Sequence, residues 1–156
     1  MVDLPYRPCV GIMLLNADNQ IFIARRRDQS VEAWQMPQGG IDKGEEAVEA
    51  AFRELREETS VQSAELIEEA DRWFTYDLPE HLVGVALKGK YRGQKQRWFA
   101  MRLTGADAEI NLETDDPEFE AWKWASRQEV VEAIVPFKKP LYEEVTAAFA
   151  HLLNNR

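Results

Sequence analysis

Cysteine is almost absent: Cys9 stands alone in 156 residues, so no internal disulfide can form and no oxidising compartment is required. No run approaches the roughly 18–20 unbroken apolar residues that span a bilayer, and no membrane partner is expected. The opening stretch, Met-Val-Asp-Leu-Pro-Tyr-Arg-Pro, lacks the basic region and apolar run of a secretory signal, so a cytoplasmic protein is expected. Positive charge is in deficit, with 19 Lys and Arg against 28 Asp and Glu and a net charge of −9. A chain that wraps nucleic acid by charge alone is basic, so broad non-specific binding is not expected. An anionic ligand would need a local basic patch or bound cations. Histidine is scarce too. His81 and His151 have no Cys or carboxylate neighbours at zinc spacing, and both are expected at the surface. No Ser-His-Asp arrangement, internal repeat or Gly/Ser-rich linker is visible, and no partner protein is implied.

What is present is a globular composition: 45% apolar and 30% charged residues, with five Trp and seven Phe. One domain spanning residues 1–156 is expected. Apolar runs at Cys9–Leu15 and Gln20–Ala24, joined by Asn16-Ala-Asp-Asn19, predict a β-hairpin. Pro37-Gln-Gly-Gly40 breaks the pattern, and a helix is predicted from about Gly44 to Thr59. Further strands are predicted at Glu65–Tyr76, Gln96–Thr104 and Glu118–Ala125, with a long excursion over Leu78–Gly93. Ser126-Arg-Gln-Glu129 is a capping box opening a short helix that ends near Ile134. Pro140 suits the first turn of a last helix, where Leu141, Val145, Phe149 and Leu152 recur at core-packing spacing. Strands come first and helices are interleaved without strict βαβ alternation, which points to a mixed sheet packed between helices. Trp34, Trp98, Trp122 and Trp124 are assigned to the core, and Cys9 is read as a buried small residue.

The chemistry is concentrated in Gly39–Val61, GGIDKGEEAVEAAFRELREETSV. Glu54, Glu57 and Glu58 stand at i, i+3 and i+4, so one helical face carries three mutually repelling carboxylates. By themselves they read either as a solvated face or as oxygen ligands for a hard divalent cation. Ala47, Val48, Ala51 and Leu55 form the opposite, core-facing stripe. Glu45 and Arg53 lie two turns apart on nearly one side, where an ion pair would brace the helix.

Gly39, five residues, Glu45, seven residues, Arg53-Glu54-Leu55, one residue, Glu57-Glu58, then Val61: this pattern resembles the Nudix box of nucleoside-diphosphate-linked pyrophosphohydrolases. One departure is Ser60, where the family usually has Gly at the left-handed turn that ends the helix. The resemblance extends from about Tyr6 to Leu152. The pieces Tyr6-Arg-Pro8, Trp34–Gly40, Gly93–Phe99, Pro117-Glu-Phe119 and Phe137-Lys-Lys139 look like a subgroup acting on 5′-phosphorylated RNA ends and dinucleoside polyphosphates.

The resemblance implies an α/β fold, a Nudix-type α/β/α sandwich with a mixed β-sheet. It implies Mg²⁺, with Mn²⁺ or another divalent cation as substitutes. The metal would be held by Glu54, Glu57, Glu58 and Glu118, with Gly39 letting backbone approach it. The catalytic set would be Glu57, Glu118 and Arg53, with Glu57 and Glu118 both candidates for the general base. Arg7 and Arg26 match positions that hold the polyphosphate, and Gln94 and Lys95 a strand near the 5′ end. Val135, Phe137 and Lys138 match a base-binding cleft. Read from the residues alone, Phe137 is as well explained as core. Trp73 and Tyr76 either stack a base or pack inside, and burial is the expectation for Trp73. The implied reaction removes pyrophosphate or phosphate from an RNA 5′ end, a step in mRNA decay. The alternatives are diadenosine tetraphosphate-type hydrolysis and a non-catalytic nucleotide-binding module.

Overall fold

The computed structural model describes residues 4–27 and 33–153. Strands β1 (Tyr6–Leu15) and β2 (Ile21–Arg26) meet at the predicted turn, where Asn16 Oδ1 accepts from the backbone N–H groups of Asp18 at 3.0 Å and Gln20 at 2.9 Å. Beyond the Leu15–Ile21 pair, each strand finds other neighbours. β2 pairs with β3 (Trp34–Gln35) and with β7 (Phe119–Ala125). β1 pairs antiparallel with β4 (Gln38–Gly40) and parallel with β6 (Gly93–Leu103), which pairs antiparallel with β5 (Ala64–Asp77). One parallel contact among antiparallel ones makes the sheet mixed, as expected.

β1 is buried along both of its faces from Cys9 to Leu15, the signature of a central strand covered on both sides. Val10, Ile12 and Leu14 join Ala50, Ala51 and Leu55 of helix α1 (Ala47–Thr59). Met13 and Leu15 face the other way, toward Val130 of α2 (Arg127–Ala133) and Leu141 and Val145 of α3 (Lys139–Ala148). The sheet therefore lies between one helix and two: an α/β/α sandwich. The capping box forms as read, with Ser126 Oγ accepting from the Glu129 N–H and Glu129 Oε1 from the Ser126 N–H.

Several sequence expectations need correction. Gln38–Gly40 is not merely a break but a short strand on β1, and β6 begins at Gly93, inside the expected excursion. α1 begins at Ala47, because Gly44 sits at φ 81° in the left-handed region and a turn spans Asp42–Glu45. Of the four tryptophans assigned to the core, Trp98 is fully buried, whereas Trp34, Trp122 and Trp124 are half-buried against its margins. Trp73 is 40% exposed. The pairing of β5 with β6 shifts register between Glu69 and Trp73, and alternation then turns Phe74 and Tyr76 inward and Trp73 outward.

Candidate active site

Arg53 organises the start of the site. Its Nε and Nη2 donate to both oxygens of Glu45 at 2.8 and 2.9 Å, the bidentate geometry that suits a guanidinium, and Nη2 also donates to the Gly40 carbonyl at 2.8 Å. The expected ion pair thus ties the helix to β4. Those bonds hold the Glu45 carboxyl down to about 2, Arg53 first and the Asp42 N–H second. Nη1 donates to Glu54 and to Glu57, each at 2.7 Å. Glu57 is half exposed, while Glu54 is mostly enclosed.

Glu58 is the anomaly. It is 4% exposed, and neither carboxylate oxygen has a hydrogen-bond partner; the Glu54 carboxylate and the Gln38 backbone amide face it outside bonding geometry. Burial, then the charges of Glu118 and Glu54, push its pKa well above the carboxylate range. Burial raises Glu54 likewise, against the opposing pull of Arg53. Buried charges persist when paired or bound to a cation, so this all-oxygen set fits a hard divalent metal. Among the described residues no three such side chains already close around a point. The Arg53 guanidinium bridges Glu54 and Glu57 and holds them on one side of the helix.

Glu118 joins this set by strand pairing. Arg26 pairs with Phe119 across β2 and β7, and the Arg27 N–H donates to the Glu118 carbonyl at 3.0 Å. The end of β7 is thereby fixed beside the end of β2. Two cavities meet here, and both are lined by Glu54 and Glu118. The first, about 590 Å³, is the acidic side with Glu57 and Glu58. The second, about 510 Å³, holds Arg7, Arg26 and Lys138, with Gly39 and Gly40 on its wall. A Cβ on Gly40 would strike the Arg7 guanidinium, so that glycine lets Arg7 cross the strand. Cavities of this size suit a nucleotide-sized ligand.

The second cavity also collects Gln94, which pairs with Arg7 across β1 and β6, and Val135 and Phe137 from the 3-10 turn preceding α3. Phe137 is 37% exposed and rests against Tyr76, with ring centroids 5.9 Å apart, so it is not core. The Lys138 ammonium lies 5.1 Å from the Tyr76 centroid, and burial, with Arg26 next, lowers its pKa to about 8. Lys95 is not brought in. As the next residue on β6 it faces the other side of the sheet, with its ammonium 5.0 Å from the Trp73 centroid.

Some lining residues had no individual signal in the sequence. Gln35 and Gln38 reach the second cavity from the short strands β3 and β4, and Leu82, Ala86 and Leu87 reach it from the excursion after β5. Only the Trp34–Gly40 piece of the resemblance pointed near the glutamines. The expectations for two residue types outside the site hold: Cys9 is buried and pushed up to about 11, and both histidines are exposed. Ser60 ends α1 at φ 70°, the left-handed turn where Gly is usual, and its hydroxyl donates to the Asn111 carbonyl at 2.7 Å.

A family model described as NUDIX domain matches residues 5–145. An RNA pyrophosphohydrolase of Rhizobium meliloti (strain 1021) is 52% identical over 97% of this chain and 97% of its own length. One of Roseobacter denitrificans (strain ATCC 33942 / OCh 114) is 54% identical over 96% and 95%. In fold, the chain is similar to a C. elegans Ap4A hydrolase in a binary complex, with a TM-score of 0.66 at 18% identity, covering 93% of this chain and 98% of that one.

Proposed function

The chain belongs to the NUDIX family of hydrolases, and on that premise we propose that it hydrolyses the phosphoanhydride at the 5′-triphosphate or 5′-diphosphate end of RNA. Pyrophosphate or phosphate leaves and a 5′-monophosphate remains, in the cytoplasm, as a step of mRNA decay. The observation that carries the reading is the pair of cavities joined at Glu54 and Glu118, one acidic and one basic and aromatic. A polyphosphate lying across the junction puts its anhydride against the carboxylates and its base against Phe137 and Val135.

Glu54, Glu57, Glu58 and Glu118, with backbone at Gly39, would hold Mg²⁺, or Mn²⁺ or another divalent cation. That ion supplies charge neutralisation on the phosphoryl oxygens and acidifies water. The chain's own residues do the rest. Arg7, Arg26 and Lys138 hold the phosphate oxygens, the two guanidiniums as paired donors. Arg53 fixes α1 against β4 and keeps the carboxylates in place. A water attacks phosphorus, one P–O bond forms, and the anhydride P–O bond breaks with its electrons leaving on the departing phosphate. The water's proton passes to Glu57, which is half exposed, or to Glu118, which lines both cavities.

A dinucleoside polyphosphate is the second reading, since it too presents a polyphosphate attached to a base. A non-catalytic module is disfavoured because all four carboxylates are kept. Phosphate and pyrophosphate release from triphosphate-ended RNA and from diadenosine tetraphosphate, measured on one preparation with Mg²⁺ or with a chelator, tests the reading. Chelator-sensitive turnover preferring RNA is expected. A strong preference for the dinucleotide would transfer the assignment to the second reading.

A further inference from the structure

On β6, Gln94, Gln96 and Trp98 stand at i, i+2 and i+4 and share one face of the sheet. All three are buried, at 3%, 2% and 0% exposure. The Trp98 indole is pinned first. It covers Gly11, where a Cβ would overlap the ring, and packs edge-on against Tyr142 with centroids 6.0 Å apart. Its N–H donates to Gln96 Oε1 at 2.8 Å, and Gln96 Nε2 donates to Gln94 Oε1 at 2.8 Å.

This chain has a direction. An indole N–H can only donate, so it fixes which end of the Gln96 amide faces it. The amide end left over, Nε2, can only donate in turn, and it fixes the Gln94 carbonyl. What Gln94 offers to the cavity it lines is therefore its NH₂ group. Turned the other way, the same amide would set a carbonyl oxygen beside Arg7 and against any phosphate bound there. A buried amide reversed in this way would also leave Gln96 Nε2 without its acceptor.

We propose that Trp98 and Gln96 are positioning residues: their hydrogen-bond relay locks the Gln94 amide as a donor toward the acceptor oxygens of the substrate. The relay rests on the polyphosphate reading of the second cavity and deepens it. It makes the inner wall of that cavity offer donors from Arg7, Arg26, Lys138 and a neutral amide together. The neutral donor adds direction without adding charge, and it selects ligands by where their acceptors stand.

Gln96→Met keeps the volume and removes both relay bonds. The expected result is a KM for triphosphate-ended RNA about tenfold higher, which is about 1.4 kcal/mol, with kcat within about twofold of wild type. Made on top of Gln94→Ala, the same change should leave KM where Gln94→Ala put it, since the amide to be oriented is gone. Equal KM effects in both backgrounds, or a fall in kcat tracking a lower melting temperature, would overturn the relay. Binding of inorganic tripolyphosphate without added divalent cation, followed by NMR of the side-chain amides, needs neither turnover nor a variant. In the wild-type protein the Gln94 NH₂ signals should shift on titration while the Trp98 indole N–H stays protected from exchange. An unshifted Gln94 amide would overturn the proposal. A protein that binds tripolyphosphate through Gln94 yet leaves RNA ends intact would sink the RNA reading and leave the relay standing.

Discussion

Gly39 and Glu54 share one space: a Cβ built on Gly39 would fall on the Glu54 carboxylate. The glycine on β4 is thus the reason that a carboxylate from α1 can lie against the strand. Its φ is not in the left-handed region, so close approach rather than turn geometry makes the glycine necessary here. Gly39→Ala should push Glu54 outward. A displacement of about 1 Å in a catalytic group costs roughly 100-fold, so kcat/KM should fall by about that factor. A melting curve recorded alongside should show the fold retained, and wild-type kcat/KM would remove Gly39 from the site.

Glu57→Gln keeps the shape of the side chain and discards its charge. Because Glu57 is half exposed, circular dichroism should be unchanged while turnover nearly vanishes, by roughly 100-fold or more given the several kcal/mol at stake. Glu118→Ala should likewise lower turnover by orders of magnitude, although it lies on the approach to β7 and not on α1. An unchanged rate at saturating Mg²⁺ in either variant would reduce that residue to surface.

Lys138 gives the site a dependence on pH. Its pKa of about 8, against an ordinary 10.5, means the free protein loses this cation as pH rises through about 8. Affinity for a polyanion weakens in the same interval, so kcat/KM should decline above about pH 8 and the decline should disappear in Lys138→Ala. Folding responds with the opposite sign. The unfolded chain binds the extra proton between about 8 and 10.5, so the cost of burying this ammonium is full below about 8 and is relieved as pH rises. A kcat/KM profile identical in wild type and variant would sink the prediction.

Phe137→Ala removes a ring that is exposed at the cavity, not one that fills the core. Loss of a stacked base costs about 1–3 kcal/mol, so RNA longer than one nucleotide should weaken more than a mononucleotide triphosphate does. The melting temperature should barely move. Equal losses on RNA, mononucleotide and diadenosine tetraphosphate would argue against a base at Phe137.

The sequence by itself determined what is local or periodic. Residues 39–61 announced the carboxylate helix because spacing along α1 is set by the helical repeat, whatever surrounds it. The buried strand β1 and the Ser126 capping box were legible for the same reason: run length and a three-residue offset are read within one element. Tertiary structure decided everything that depends on which strands become neighbours. Strand pairing set Arg7 beside Gln94 and brought Arg26 to the start of β7, next to Glu118. It gave Lys95 and Trp73 to the opposite face, and one register shift in β5 exposed a tryptophan that composition would bury. Gln35, Gln38 and the excursion residues entered the cavity through contacts between segments far apart in the chain. A side chain's face follows from period and register together, and register is a property of the partner strand, which the segment does not contain.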